Sequence, residues 1–201
     1  LLEQCARLLL ENGALRLVDG AVRVVSRDRV EEVPRSMQAF VSDRLDLLPA
    51  EEAALLGVAA VLGEQGELAL LEFLAGERAP LLQSLVARGL LRPVRDGFGQ
   101  DGLQFTHALV REAAYDRVQL ADRVATHRAA AEWYAVLPVS QVLESQASHL
   151  EQAVTLQEPD CDLLRRTVEA MVLFARSVEE ERTRVAHDTL VRARALVEAR
   201  P

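Results

Sequence analysis

Apolar residues recur along most of this chain at intervals of three and four, the spacing that places them on one face of a helix. The pattern predicts helices over residues 36–48, 50–62, 67–75, 80–88, 107–117, 119–137, 140–154 and 162–199, the last broken near 177–180. Ser36 is a predicted N-cap, and Pro49 and Pro80 stand where helices begin. Gly63 and Gly89 stand where helices end. The fold class is therefore predicted to be mainly α.

Short stretches with a different pattern predict strands. Apolar residues alternate on both sides of Asp19-Gly20, a pair typical of a two-residue hairpin turn, and a further helix is predicted before it over 2–12. Residues 90–95 and 103–106 form a second pair of predicted strands, joined by the turn DGFGQDG. Helices followed by strand, turn and strand are the order of a winged helix, predicted over about 50–106.

Three segments follow from this order. Residues 1–35 hold a helix and a β-hairpin, and residues 36–118 hold a winged-helix domain with a small β-hairpin wing. Residues 119–201 are predicted to form antiparallel helical pairs of the tetratricopeptide-like kind, because helices of similar length are joined by short loops. The first residue is a leucine within a helical pattern, so we expect the chain to be a segment of a longer protein.

Charge narrows the partners that the sequence predicts. The formal net charge is −8, and residues 36–118, with twelve acids and seven arginines, carry −5 of it. No region is basic, which argues against direct nucleic-acid binding. No apolar run approaches the roughly 18 residues of a membrane span, and Cys5 and Cys161 are isolated thiols. We therefore expect a cytoplasmic protein with no membrane partner.

Catalytic and metal chemistry find little support in the sequence. All 23 basic residues are arginines, so neither a phosphate-binding P-loop nor a Schiff-base site can exist here. The four histidines, His107, His127, His149 and His187, lie on different predicted helices without i, i+4 pairing, which disfavours a metal site. No catalytic constellation is recognisable. The chain is predicted not to be an enzyme.

Other candidate motifs have structural interpretations. Gly97, Gly99 and Gly102 spell G-x-G-x-x-G, but a strand follows them rather than the helix that a dinucleotide site requires, so we interpret them as a turn. Trp133 and Tyr134 lie on an alanine-rich helix and are expected in the core rather than in a ligand site.

The helix over 80–88 occupies the position of a recognition helix. It carries Gln83, Ser84 and Arg88, with Glu77 and Arg78 before it, and is otherwise apolar. In an acidic domain this composition favours protein–protein packing. The alternative is that the helix contacts DNA, in which case the chain would be a DNA-binding winged-helix transcriptional regulator.

Several stretches resemble, in order, one family of signalling proteins. LLEQCARLLLENGAL resembles the last lid helix of a STAND ATPase, and VPRSMQAFVSDRLDLLPAEEAALLGVAAVLG resembles the linker and first winged-helix segment. LVARGLLRP and QFTHALVREAAYDRV resemble the end of that domain, and DRVATHRAAAEWY and ASHLEQAV resemble the opening of the sensor. The chain is identified as similar to LuxR/MalT-like STAND proteins over nearly its whole length.

This resemblance implies a switch that regulates transcription or a cyclase. It implies an upstream nucleotide-binding module, ATP or ADP with magnesium bound there in the parent protein, and no cofactor in the chain itself. It also implies a protein or small-molecule inducer that binds the helical sensor. The segment would then couple nucleotide state and inducer binding to a distant output.

FTHALVREAAY resembles the Met-His-Asp motif that ends the winged helix in related switches. His107 takes the place of the nucleotide-sensing histidine, but Thr106 and Ala108 replace the methionine and the acid. Apart from the resemblance, a histidine in the first turn of a helix could cap that helix or donate to a phosphate. The sequence leaves both roles for His107 open.

Overall fold

The computed structural model describes residues 15–18, 21–25, 38–95, 99–137, 142–157, 160–178 and 182–199. Within these ranges the chain is mainly helical and contains two small antiparallel sheets, which confirms the predicted fold class at this level. The predicted helix over 2–12, the N-cap at Ser36 and the turn residues Asp19 and Gly20 lie outside the described residues.

The predicted first hairpin is confirmed. Strands β1 (Leu15–Val18) and β2 (Ala21–Val24) are antiparallel neighbours, and Val18 stands opposite Ala21. That register leaves two residues for the connection, as the Asp19-Gly20 turn requires.

Four helices come next along the chain. They are α1 (residues 38–46), α2 (Ala50–Leu62), α3 (Leu68–Ala75) and α4 (Leu81–Ala87), with a short 3₁₀ turn at Gly76–Arg78 before α4. Gly63 and Gly89 follow α2 and α4 with positive φ angles of 135° and 68°, a region that favours glycine. The helix positions and their glycine stops agree with the prediction.

A three-stranded antiparallel sheet lies against these helices. Its strands are β3 (Gln65–Glu67), β4 (Leu91–Arg95) and β5 (Asp101–Phe105), with β5 in the centre. The sequence predicted β4 and β5 but not β3, because three residues are too few to show an alternating pattern. A Cβ atom on Gly102 would lie 2.8 Å from the Gly66 carbonyl oxygen, so the close approach of β3 and β5 depends on that glycine.

Leucine dominates the core of this N-terminal unit. One apolar cluster joins α1, α2, α3, α4, both long strands and the helix α5 (Ala108–Asp116). Leu55 and Leu85 are fully buried, and Phe105 places the end of β5 in the same cluster. The strand β5 therefore fixes where α5 begins.

The C-terminal unit is a series of four longer helices. They are α6 (Leu120–Ala135), α7 (Leu143–Leu156), α8 (Cys161–Val178) and α9 (Thr183–Glu198), and each packs on the next. The predicted break near 177–180 is confirmed, since α8 ends at Val178 and α9 begins at Thr183. Alanines such as Ala131 and Ala153 fill much of this core.

A third apolar cluster joins the two units. Leu70 on α3 is buried against Ala130 and Tyr134 on α6, with Leu74 and Trp133 around them. None of the described helices is both long and apolar enough to cross a membrane.

Candidate functional site

His107 stands at the junction of β5 and α5, as the sequence predicted. It is the N-cap residue of α5, with extended backbone angles of −151° and 138°, and its carbonyl accepts hydrogen bonds from the Val110 and Arg111 amides at 3.0 and 3.4 Å. Its ring makes no capping hydrogen bond. The interpretation of the His107 side chain as a helix cap is therefore wrong: the backbone begins the helix and the imidazole does not contribute.

Partial burial and a nearby cation lower the pKa of the His107 imidazole. Burial lowers its pKa, and the positive charge of Arg44 lowers that pKa further. Arg44 itself donates to the carbonyl of Arg88 at 3.1 Å, which holds it near the end of α4. The lowered pKa favours the neutral imidazole, which can donate one N–H to a ligand.

Of the two residues beside His107, Thr106 makes a structural hydrogen bond and Ala108 contributes no polar group. The Thr106 hydroxyl donates to the Gly89 carbonyl at 2.9 Å, which ties the end of β5 to the turn after α4. Ala108 is exposed in the first turn of α5. The resembled motif has an acidic residue at this position, and the methyl side chain of Ala108 cannot take its role.

The polar side chains of α4 are mostly engaged inside the molecule. The Ser84 hydroxyl donates to Oε1 of Glu52 at 2.8 Å, and Nε of Arg88 lies 2.7 Å from Oε2 of the same carboxylate. Oε2 has no aligned hydrogen-bond donor, so the contact with Arg88 is an ion pair. The Glu52 side chain is 8% exposed and that of Arg88 44%. Gln83 alone of the three candidate base-reading residues is exposed and outside this cluster.

A largely apolar groove of about 450 Å³ runs between α3, α4 and the β4–β5 hairpin. Leu68, Leu82 and Val86 form much of its wall, and its charged lining residues are the acids Glu72 and Asp101. Asp101 is paired with Arg95 at 3.0 Å, so the groove is mainly apolar, and no arginine is among its described lining residues.

The glycine motif lies where the turn interpretation expected it. Gly99 has a positive φ of 83°, and Gly102 is already within β5, antiparallel to β4; Gly97 is outside the described residues. A strand follows the motif, so no helix N-terminus is available there for a pyrophosphate.

Two histidines that the sequence left apart are brought together. Nδ1 of His127 on α6 lies 2.9 Å from Nδ1 of His149 on α7, and their ring centroids are 5.2 Å apart. Sequence spacing missed this contact because 22 residues and a helix–helix connection separate them. Among the described residues, no group of three or more histidine, cysteine, aspartate or glutamate side chains could hold a metal ion.

Tyr134 extends this cluster to the N-terminal unit. It is buried, as predicted, but its hydroxyl also donates to Oε1 of Glu67 at 2.8 Å, and its ring stacks on His149 at 5.9 Å. Burial, with the Glu67 hydrogen bond as a second cause, raises the pKa of the hydroxyl. Trp133 packs edge-on to Tyr134 at 5.0 Å. The seven-residue spacing of His127 and Tyr134, two helical turns, was the signal that could have placed them on one face.

Comparison with models of known families, with characterised proteins and with solved structures finds no match to this chain.

Proposed function

We propose that this chain is a non-catalytic regulatory and interaction segment of a STAND signalling ATPase. In this proposal residues 36–118 are the winged-helix domain and residues 119–201 open a tetratricopeptide-like sensor. Residues 1–35 end the ATPase lid. The segment couples nucleotide state and inducer binding to a transcriptional or cyclase output in the longer protein.

The order and pairing of the elements support the winged helix. The chain runs α2, β3, α3, α4, β4, β5, and the short strand β3 pairs with β5, so that all three strands form one sheet. The hairpin β4–β5 takes the place of the wing. The successive packing of α6, α7, α8 and α9 supports the tetratricopeptide-like assignment of the remainder.

The engagement of α4 by Glu52 is the observation that carries the proposal of an interaction domain. A helix that reads bases must present amides and arginines to the groove, whereas Ser84 and Arg88 contact Glu52. The groove beside α4 is largely apolar, and such a wall is unsuited to a phosphate backbone. These contacts favour a protein-facing winged helix over a DNA-binding transcriptional regulator.

His107 is the proposed contact with nucleotide. In the parent protein the upstream module would supply ADP or ATP with magnesium, and His107, at the start of α5, would face the phosphates. Two observations support this role: the ring makes no cap hydrogen bond, and the helix N-terminus beside it favours an anion.

The experiment compares His107→Ala in the longer protein and in this 201-residue chain. We expect faster ADP release and higher basal output from the longer protein, while the melting temperature of the chain barely changes. His187→Ala, at an exposed position on α9, is the matched control and should change neither property. Unchanged ADP release together with a strongly lowered melting temperature of the chain would show that His107 is structural and would overturn the sensing role.

A further inference from the structure

The contact between His127 and His149 restricts where their protons can be. At 2.9 Å, one Nδ1 must carry a proton and the other must accept it with its lone pair. The two rings are therefore different tautomers in the neutral state. Protonating both rings would aim two N–H groups at each other and place two positive charges side by side.

Few charges around the pair could compensate a proton on it. Glu67 accepts from Tyr134, and Glu144 on α7 faces Arg182 at 3.4 Å. From α8, Arg166 lies 3.8 Å from Glu132 on α6. Glu144 and Glu132 are therefore each paired with an arginine, while Glu67 accepts a hydrogen bond from a neutral hydroxyl.

The other helices next to α6 or α7 also carry their charges elsewhere. On α2, Glu52 contacts α4 and Glu51 is exposed; on α3, Glu72 is exposed and lines the groove beside α4. On α9, Arg192 contacts Glu151 at 2.7 Å. The pair is thus stabilised as long as it is neutral.

Tyr134 links the pair to the junction of the two units. Its ring stacks on His149, and its hydroxyl reaches Glu67, which immediately precedes α3. A cleft of about 450 Å³ lies beside these groups, and Gln65, Ser148 and His149 itself line its wall, so the pair borders solvent on the side of His149.

We propose that His127 and His149 form an acid-sensitive latch that closes α6 on α7 and, through Tyr134 and Glu67, holds the helical unit against the N-terminal unit. The latch is closed while the pair shares one Nδ1 proton. It opens when the accepting Nδ1 also takes up a proton, because two N–H groups then face each other. Separation of the two rings removes the surface on which Tyr134 stacks.

Burial lowers the pKa of both rings to about 4, and for His127 the neighbouring His149 is a second cause. An unfolded histidine has a pKa of about 6.5. Because the folded pKa lies below the unfolded one, the stabilisation is complete above pH 6.5 and is lost as the pH falls towards 4. Mild acid should therefore loosen this junction.

The experiment follows the 201-residue chain from pH 7.5 to 5.0 by thermal unfolding and by the fluorescence of Trp133, its single tryptophan. We expect the melting temperature to fall, and the emission of Trp133 to shift to longer wavelength at pH 5.0 before helical circular dichroism is lost. The double variant His127→Gln/His149→Gln keeps two hydrogen-bonding groups that do not titrate. It should show less than about half of the fall in melting temperature, because neither side chain takes up a proton.

His187→Gln, which removes an exposed histidine, is the matched control and should retain the full acid sensitivity. Equal pH dependence in the double variant and the unmodified chain would overturn the latch. Nuclear magnetic resonance of the unmodified chain decides independently if the double variant fails to fold. An N–N coupling between the two Nδ1 atoms at pH 7.5, lost in acid, supports the latch, while two rings that titrate near 6.5 without coupling refute it.

Discussion

The two units of this protein bury polar groups in opposite ways. In the N-terminal unit, the Glu52 carboxylate is nearly enclosed; Arg88, at the end of α4, forms an ion pair with it, and the Ser84 hydroxyl donates a hydrogen bond to it. In the C-terminal unit, His127 is buried and His149 is partly buried, and the two contact each other as a neutral pair. A buried charge needs a partner, whereas a buried imidazole can avoid the cost by remaining unprotonated. The buried polar group of the N-terminal unit is therefore accommodated by an ion pair, and the histidine pair of the C-terminal unit is accommodated by remaining neutral.

The apolar cores differ in the same two units. Large side chains such as Leu55, Leu85 and Phe105 fill the space between helices and sheet in the first. Alanines form a larger share of the second, where helix packs directly on helix and ion pairs such as Arg192–Glu151 join the helices at the surface. Exposed bridges of this kind contribute little, so we expect single large residues to matter most in the N-terminal unit.

The largest predicted effect is therefore in the leucine core. Leu85→Ala should lower the free energy of unfolding by about 3 kcal/mol, since it removes a fully buried side chain and leaves a cavity among several elements. Denaturant unfolding followed by circular dichroism measures this change. Leu47→Ala, at a side chain 82% exposed, is the control and should change stability by less than about 0.5 kcal/mol. Equal losses in the two variants would contradict the assignment of the core.

The ion pair should have the next largest effect. Glu52→Ala should cost about 2 kcal/mol, because it leaves Ser84 and part of Arg88 without an acceptor in a half-buried site. Glu51→Ala removes a neighbouring exposed carboxylate from the same first turn of α2 and serves as the matched control. The same unfolding experiment applies, and a cost for Glu51→Ala as large as that for Glu52→Ala would show that charge at the helix start, rather than the contact with α4, stabilises this unit.

Sequence reasoning predicted what depends on local spacing. The helices, the first hairpin and the strands β4 and β5 followed from apolar periodicity and from stops such as Gly63 and Gly89. The strand β3 did not, because three residues form a strand only when β5 is beside them. His107 could be placed at its helix start, but whether its ring caps that helix depended on geometry. The contact of His127 with His149 is tertiary, and no spacing in the sequence predicts it.

A smaller effect is expected where the two units meet. Tyr134→Phe keeps the ring in place but removes the hydroxyl that donates to Glu67, and should cost about 1 kcal/mol. The raised pKa of this hydroxyl adds a test in base. The folded chain retains this proton above pH 10 while the unfolded chain loses it, so the stabilisation is present below pH 10 and declines as the pH rises further.

Absorbance at 295 nm checks this titration. In a Tyr115→Phe background, which leaves Tyr134 as the single tyrosine, we expect ionisation only above the usual range for tyrosine, together with unfolding. Ionisation near pH 10 in the folded chain would show that the link between the units is open.

The smallest signal is expected with ATP. The chain has no lysine, and its G-x-G-x-x-G motif leads into the strand β5 rather than into a helix, so we predict neither hydrolysis nor tight binding by the chain alone. Calorimetry at micromolar ATP measures this, and a saturable heat with micromolar affinity would contradict the assignment of nucleotide binding to another module.

No sequence-specific DNA affinity is expected either. Residues 36–118 carry a net charge of −5, so the phosphate backbone is repelled at long range. In addition, Arg88 and Ser84 already contact Glu52 and are less available to bases. A mobility-shift assay at physiological salt with competitor DNA should show no complex.

Glu52→Gln provides the sharper comparison, since it weakens the ion pair with Arg88 and removes one negative charge. If DNA binding appears in this variant, the ion pair masks a reading helix; if the unmodified chain already binds, the interaction role of the N-terminal unit is wrong. We expect no binding in both, because loss of one carboxylate changes the net charge of residues 36–118 only from −5 to −4, and the domain stays acidic.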